Sequence, residues 1–212
     1  MAQIILALDF TGLKEAEGMV RTLKKHITFY KVGLELFTRC GPDAVKMVKD
    51  HGCDVFLDLK LHDIPNTMAG GVAAASALGA RSITLHTAAG SEALRQAKSA
   101  QSGGLPRLWG VTILSSLGGG TGIPEAERAS GAGLEGVVAS GEGVGAIRAR
   151  FPGLEIVVPG IRPSWSLTDD QKRVLTPAEA VDGGADYLVI GRPISRSDDP
   201  LGSAIRILKE IN

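Results

Sequence analysis

The feature that most restricts how this chain can fold is a regular alternation of short β-type runs with helical segments, sustained from end to end. Apolar runs suited to buried strands fall at residues 4–8, 29–32, 55–60, 82–85, 108–114, 136–139, 155–158 and 187–190. Helical patterns lie between or after them, at residues 13–25, 42–51, about 67–78, 91–100, 144–150 and 201–211. Strands alternating with helices in this way predict a parallel sheet. Eight repeats predict an α/β fold of the closed (β/α)8 TIM-barrel type, although 212 residues is compact for an architecture that typically takes about 250. A doubly wound open sheet is the competing arrangement. No linker, low-complexity tract or charge run interrupts the alternation, so a single barrel domain over residues 1–212 is expected. One stretch departs from the pattern. Residues 115–133 contain Gly118-Gly119-Gly120, and residues 124–129 could form only a brief helix, which predicts a truncated or mobile element.

Composition narrows the function classes. With 23 basic and 23 acidic residues the formal net charge is zero, so no global field draws the chain to nucleic acid or a membrane surface. The two cysteines, Cys40 and Cys53, have no metal-binding or redox spacing and fit inert core thiols in a reducing compartment. The apolar run at residues 4–8 is too short for a membrane span or a signal-peptide core, and no basic segment precedes it. A cytoplasmic location is expected.

The polar residues that interrupt this apolar framework collect where strands end: Asp9, Lys31, Asp58, Lys60, His86, Ser115, Arg162 and Arg192. In a parallel barrel those ends share one rim, the rim that carries active sites. The densest cluster is Asp58-Leu59-Lys60-Leu61-His62-Asp63, followed by Ile64-Pro65-Asn66-Thr67, where Pro65 suits the first turn of a helix. Strand side chains alternate with period two, so Asp58 and Lys60 should face the same way. Charges on one face of an apolar strand are costly unless that face opens on a polar site. A structural ion pair would explain two of these residues; Lys31, inside another apolar strand, extends the set to two lysines and two aspartates. Flanking carboxylates favour the charged ammonium of Lys60, whereas an imine-forming lysine needs a neutral amine. Lys60 is therefore expected to act as a cation or general acid.

Two further motifs, Pro159-Gly160-Ile161-Arg162-Pro163 and Ile190-Gly191-Arg192-Pro193, follow the seventh and eighth strands, where barrels often grip phosphate. Gly191 permits close backbone approach, and Arg192 and Arg162 add guanidinium donors. The long segment from 162 to 176 has the length of a lid. His62 and His86 lack any zinc-ligand spacing, so packing or supporting roles are expected and no metal site is assigned. Gly141-Glu142-Gly143-Val144-Gly145 lacks the spacing of a dinucleotide fingerprint.

With these residues in view, the chain closely resembles the bacterial type of the orotidine 5′-phosphate decarboxylase family. The resemblance is carried by Leu8-Asp9, by Phe29-Tyr30-Lys31-Val32-Gly33, by the run from Asp58 to Thr67, and by the two arginine motifs; Asp169-Asp170-Gln171-Lys172-Arg173-Val174 and Thr176-Pro177 resemble the family's lid and following helix. It implies decarboxylation of orotidine 5′-phosphate to uridine 5′-phosphate in de novo pyrimidine synthesis, through a C6 carbanion protonated by Lys60, with no metal or organic cofactor. It also implies a homodimer with facing barrel mouths. Lys31, Asp58 and Lys60 would come from one subunit, while Asp63 and Thr67 would reach into the neighbour's site. Asp9 would hold the ribose and Ser115, with Ser116 adjoining, the pyrimidine edge. Gln171, Arg162, Gly191 and Arg192 would hold the phosphate. The glycine-rich segment 117–133 departs from the family pattern. Two other readings compete: a magnesium-dependent sugar-phosphate decarboxylase or synthase of the same barrel superfamily, which shares the Asp-x-Lys-x-x-Asp spacing, and a non-catalytic phosphate-binding barrel.

Overall fold

The computed structural model describes residues 2–113, 120–166 and 175–211. Ser115, Ser116 and Gln171 lie outside the described residues, as does the Asp169–Val174 run. Eight parallel strands close into a barrel in sequence order: β1 (Gln3–Ala7), β2 (Phe29–Gly33), β3 (Asp54–Leu61), β4 (Ser82–His86), β5 (Arg107–Val111), β6 (Gly136–Val138), β7 (Glu155–Pro159) and β8 (Tyr187–Ile190). Closure comes from β1 pairing with β8, with Ile4 opposite Leu188 and Leu6 opposite Ile190. The open-sheet alternative is thereby set aside.

The period-two alternation along the strands sorts side chains into two cores. Ile5, Ala7, Phe29, Phe56, Trp109, Val157, Tyr187 and Val189 fill the barrel interior. Their neighbours Ile4, Leu6, Tyr30, Val55, Leu57, Ile156, Leu188 and Ile190 point outward and pack beneath the helices. On α1 (Leu13–Leu23), Ala16, Val20 and Leu23 make the buried stripe, recurring at three- and four-residue steps. Pro65 opens α4 (Pro65–Ala77), where its missing N–H removes no helical bond.

Three helical features differ from the sequence-based expectation. Two short helices were absent from it: α2 (Leu34–Cys40), preceding α3 (Pro42–Asp50), and the four-residue α9 (Arg192–Ser195). The four residues of α9 make too few turns for a periodic signal, and α2 fully buries only Leu36, so no apolar stripe recurs along it. The third is α6 (Ile123–Gly131), which follows α5 (Ser91–Ser99) and is longer than the six residues expected. Gly122, at φ 70°, turns the chain into it, Pro124 occupies its first turn, and Ala126 and Ala129 bury its inner face. Small alanines give little hydrophobic signal in sequence yet pack closely against the barrel. The shell is completed by α7 (Val144–Arg150), α8 (Pro177–Asp182) and α10 (Pro200–Glu210). No helix among the described residues is long and apolar enough to cross a membrane.

The N-terminal end of the barrel is closed by a polar network. Glu155 accepts hydrogen bonds from Arg107 Nε at 2.8 Å, Trp109 Nε1 at 2.8 Å and the Tyr187 hydroxyl at 3.4 Å. Arg81 pairs with Asp54 at 2.6 Å and lies 4.9 Å over the Phe29 ring. Burial disfavours the charge on Arg81 and Arg107, but the hydrogen bonds and charges of Asp54 and Glu155 more than offset it, so both guanidinium groups titrate above their ordinary value.

Candidate active site

The opposite, C-terminal rim is built around β3. Phe56 pairs with Ser82 and Leu57 with Ile83, but the next pairing, Leu61 with Leu85, takes four steps along β3 and only two along β4. The extra residues form a bulge, a device that re-aims side chains near the rims of barrels. Lys60 sits within it at φ 51°, the single non-glycine residue with positive φ among those described. For a residue with a Cβ this conformation costs about 1–2 kcal/mol and must be enforced by its surroundings. Asp58 and Lys60 do meet, Nζ to Oδ1 at 2.8 Å. Regular alternation is not the whole reason, because the bulge lies between the ladder positions on either side of the pair.

A chain of alternating charge runs across the rim from three strands. Asp9, just beyond β1, pairs with Lys31 of β2 at 3.1 Å, and Lys31 approaches the other oxygen of Asp58 at 3.8 Å. The side chains of Lys31 and Asp58 are only 12% and 16% exposed, so each charge depends on its neighbours for the solvation it has lost. Lys60, at 39% the most exposed of the three, ends the chain. Gly33 makes this arrangement possible: a Cβ there would lie 2.6 Å from the Lys31 ammonium nitrogen. Behind Asp58, Thr84 of β4 accepts the Lys60 N–H at 2.8 Å and donates to Asp58 Oδ1 at 3.1 Å.

Lys31, Asp58 and Lys60, with Phe56, Val111, Ile113, Val138, Ser140, Pro159 and Val189, line a cavity of about 130 Å³. Its walls are mostly apolar and its charges lie on one side. A second, more open cleft of about 530 Å³ is lined by Asp9, Phe10, Thr11, Glu15, Glu35, Arg192, Ser195 and Arg196. The Asp9–Lys31 ion pair links the linings of the two spaces. Gly191 comes close to β1: a Cβ there would stand 3.6 Å from Asp9 Oδ2 and 3.5 Å from the Ala7 Cβ. Arg162 is buried at 7% exposure, and its backbone N–H bonds the Leu175 carbonyl at 2.9 Å. That bond ties together the two ends of the 162–175 segment.

Asp63 and Thr67 behave differently. Both are exposed, and Asp63 Oδ1 accepts only the adjacent Ile64 N–H, at 2.7 Å; among the described residues no cation pairs with it. Beside them, Ile64 is 66% exposed, as is Leu34 at the start of α2. His62 and His86 stack with ring centroids 5.2 Å apart. Burial lowers the His86 pKa from its ordinary value, and the charges of His62 and Lys60 lower it further. Among the described residues no group of three or more His, Cys, Asp or Glu gathers in a metal-binding arrangement.

Of the residues singled out in the sequence, Asp9, Lys31, Asp58 and Lys60 form one continuous array. Gly191 adjoins its Asp9 end, and Arg192 lines the cleft there. Asp63 and Thr67 are exposed, and among the described residues no ion pair joins Asp63 to the array. Sequence reasoning passed over Thr84 and gave Gly33 no role beyond its place in the Phe29–Gly33 motif. Ser82, Thr84 and His86 occupy alternate positions of β4, with Ile83 and Leu85 between them, a faint period-two polar signal that could have marked Thr84. Gly33 carried no such mark.

Comparison with known proteins agrees with this geometry. The family model described as orotidine 5′-phosphate decarboxylase / HUMPS matches residues 2–207. A protein of Syntrophotalea carbinolica named orotidine 5′-phosphate decarboxylase is 46% identical over 230 residues, covering 99% of this chain and 94% of its own length. One of the same name from Pseudomonas aeruginosa is 42% identical over 98% of this chain and 97% of its own. The crystal structure of orotidine 5′-phosphate decarboxylase from Lactobacillus acidophilus superposes with a TM-score of 0.87 at 31% identity, with full coverage of both chains.

Proposed function

The chain belongs to the orotidine 5′-phosphate decarboxylase / HUMPS family, and from that premise we infer that it is a carboxy-lyase converting orotidine 5′-phosphate to uridine 5′-phosphate in pyrimidine synthesis. The observation that carries the reading is the Asp9–Lys31–Asp58–Lys60 array at the edge of a largely apolar cavity. Loss of CO₂ leaves the electron pair of the broken bond on C6 of the pyrimidine. Lys60, held as an ammonium by Asp58, stabilises that charge and gives C6 a proton, then regains one from solvent. Lys31 balances Asp58 and keeps its carboxylate oriented. Asp9 is assigned to the ribose, and Arg162, Gly191 and Arg192 to the phosphate. Ser115 and Gln171 are assigned the pyrimidine edge and the phosphate on sequence alone. Phosphate binding far from C6 can be used to orient the ring and close the site.

The donor set favours metal-free chemistry over the magnesium-dependent sugar-phosphate reading. The two oxygens of Asp58 face two ammonium groups, which a divalent cation would have to displace. An ultraviolet assay following loss of orotidine 5′-phosphate, run with and without a chelator, tests both points. Turnover that survives the chelator is expected; no turnover overturns the function, and turnover abolished by the chelator overturns the metal-free mechanism.

We also propose a homodimer in which Asp63 and Thr67 serve the partner's site. Both are exposed, among the described residues no cation pairs with Asp63, and the side chains of Leu34 and Ile64 are uncovered as well. In a two-fold dimer, mixing Lys60→Ala with Asp63→Ala protein rebuilds one intact site per hybrid, or about a quarter of the wild-type sites at equal mixing. No recovery despite verified subunit exchange would exclude the shared site. The closure of β1 on β8 supports a single barrel domain, and the biosynthetic role supports a cytoplasmic location.

A further inference from the structure

We propose that Thr84 is a positioning residue for the decarboxylation, locking Lys60 and Asp58 into one geometry across the β3 bulge. The proposal rests on the reading of Lys60 as the group that meets C6. Thr84 is fully buried, and its single hydroxyl is used twice. It accepts the N–H of Lys60 at 2.8 Å and donates its own proton to Asp58 Oδ1 at 3.1 Å. That same oxygen receives the Lys60 ammonium at 2.8 Å. Backbone of Lys60, hydroxyl of Thr84, carboxylate of Asp58 and ammonium of Lys60 therefore close into a ring.

Two physical needs meet in this hydroxyl. The bulge carries the Lys60 N–H out of the regular ladder between β3 and β4, and a buried amide without a partner costs about 1–3 kcal/mol. Thr84 supplies the partner from β4, at the residue whose φ of 51° needs outside support. The hydrogen bond donated to Asp58 Oδ1 leaves Oδ2 turned toward Lys31. Other buried hydroxyls of the barrel show what an ordinary structural role looks like. Thr87 donates to the Val111 carbonyl and Thr112 to the Val138 carbonyl, and among the described residues neither hydroxyl bonds a charged side chain. Thr84 alone among these three joins a strained backbone to the charged array.

The test compares Thr84→Val, which replaces the hydroxyl by a methyl group of similar size, with Thr84→Ser, which keeps it. In Thr84→Val, kcat for orotidine 5′-phosphate is expected to fall about 10- to 100-fold, the scale of a sub-ångström misplacement of a reacting group. Affinity for uridine 5′-phosphate should stay within about threefold of wild type, because the binding contacts are untouched. Thr84→Ser should restore kcat to within about threefold of wild type. Thermal melts identify a variant that fails to fold; Thr84→Ala then takes the place of Thr84→Val. Wild-type-like kcat in a folded variant lacking the hydroxyl overturns the proposal, as does equal loss of kcat in Thr84→Ser. Wild-type protein that does not consume orotidine 5′-phosphate overturns the functional reading itself, and this proposal with it.

Discussion

The two ends of the barrel carry charge from neighbouring strands and use it in opposite ways. At the N-terminal end, Glu155 is enclosed by three donors, Arg81 is held by Asp54 and covered by the Phe29 ring, and Trp109 and Tyr187 fill the space between. These charges are satisfied by one another. At the C-terminal end the charges are strung in a line, and the line stops at Lys60, whose ammonium has one carboxylate behind it and a cavity beside it. A closed network contributes stability, whereas an open line leaves one charge available to a ligand. Removing a charge from either end should therefore produce opposite symptoms.

The largest effect is expected from Lys60→Ala. Loss of both carbanion stabilisation and the proton donor should lower kcat by on the order of 10³- to 10⁴-fold, with much less change in product affinity and an unimpaired thermal melt. Near-normal turnover in that variant would erase the distinction between the ends. Gly33→Ala sharpens the comparison without touching a charge. The new Cβ would stand 2.6 Å from the Lys31 ammonium nitrogen, so the end of that flexible side chain must shift from its present place between Asp9 and Asp58. A fall in kcat of about tenfold to 100-fold is expected, measurable in the same ultraviolet assay; unchanged kcat would show that the position of Lys31 is unimportant. The smallest effect on turnover should come from Glu155→Gln at the far end. It keeps the shape but weakens the acceptor for Arg107 and Trp109, and should cost about 1–3 kcal/mol of stability in denaturant unfolding while leaving kcat within about twofold of wild type. A large loss of activity there would mean the two ends are coupled through the aromatic core.

Much of the rim was legible before any coordinates, because buried strands tolerate charge only where it has a use. Asp58, Lys60 and Lys31 stood out against apolar neighbours, and Arg162 and Arg192 were marked by glycine and proline around them. The helices told a more uneven story. Most announced themselves through periodicity, while α9 was too short to do so, α2 buried too little to show a stripe and α6 was masked by alanine and glycine. Asp63 was legible as a carboxylate, but its separate role came only from the family resemblance, since side-chain direction past a bulge depends on the backbone path.

What the amino-acid order determined by itself was the architecture and the inventory. Eight strand–helix repeats close a barrel because each amphipathic helix must cover an apolar sheet, and parallel strands send their charged ends to one rim. What only the tertiary structure decided was how those charges touch. The bulge in β3, the left-handed turn at Lys60, the hydroxyl of Thr84 and the missing side chain of Gly33 all arise where two strands meet. The pattern along one strand states which face a residue occupies, but contacts of about 3 Å are set by the neighbouring strand, distant in sequence and adjacent in space.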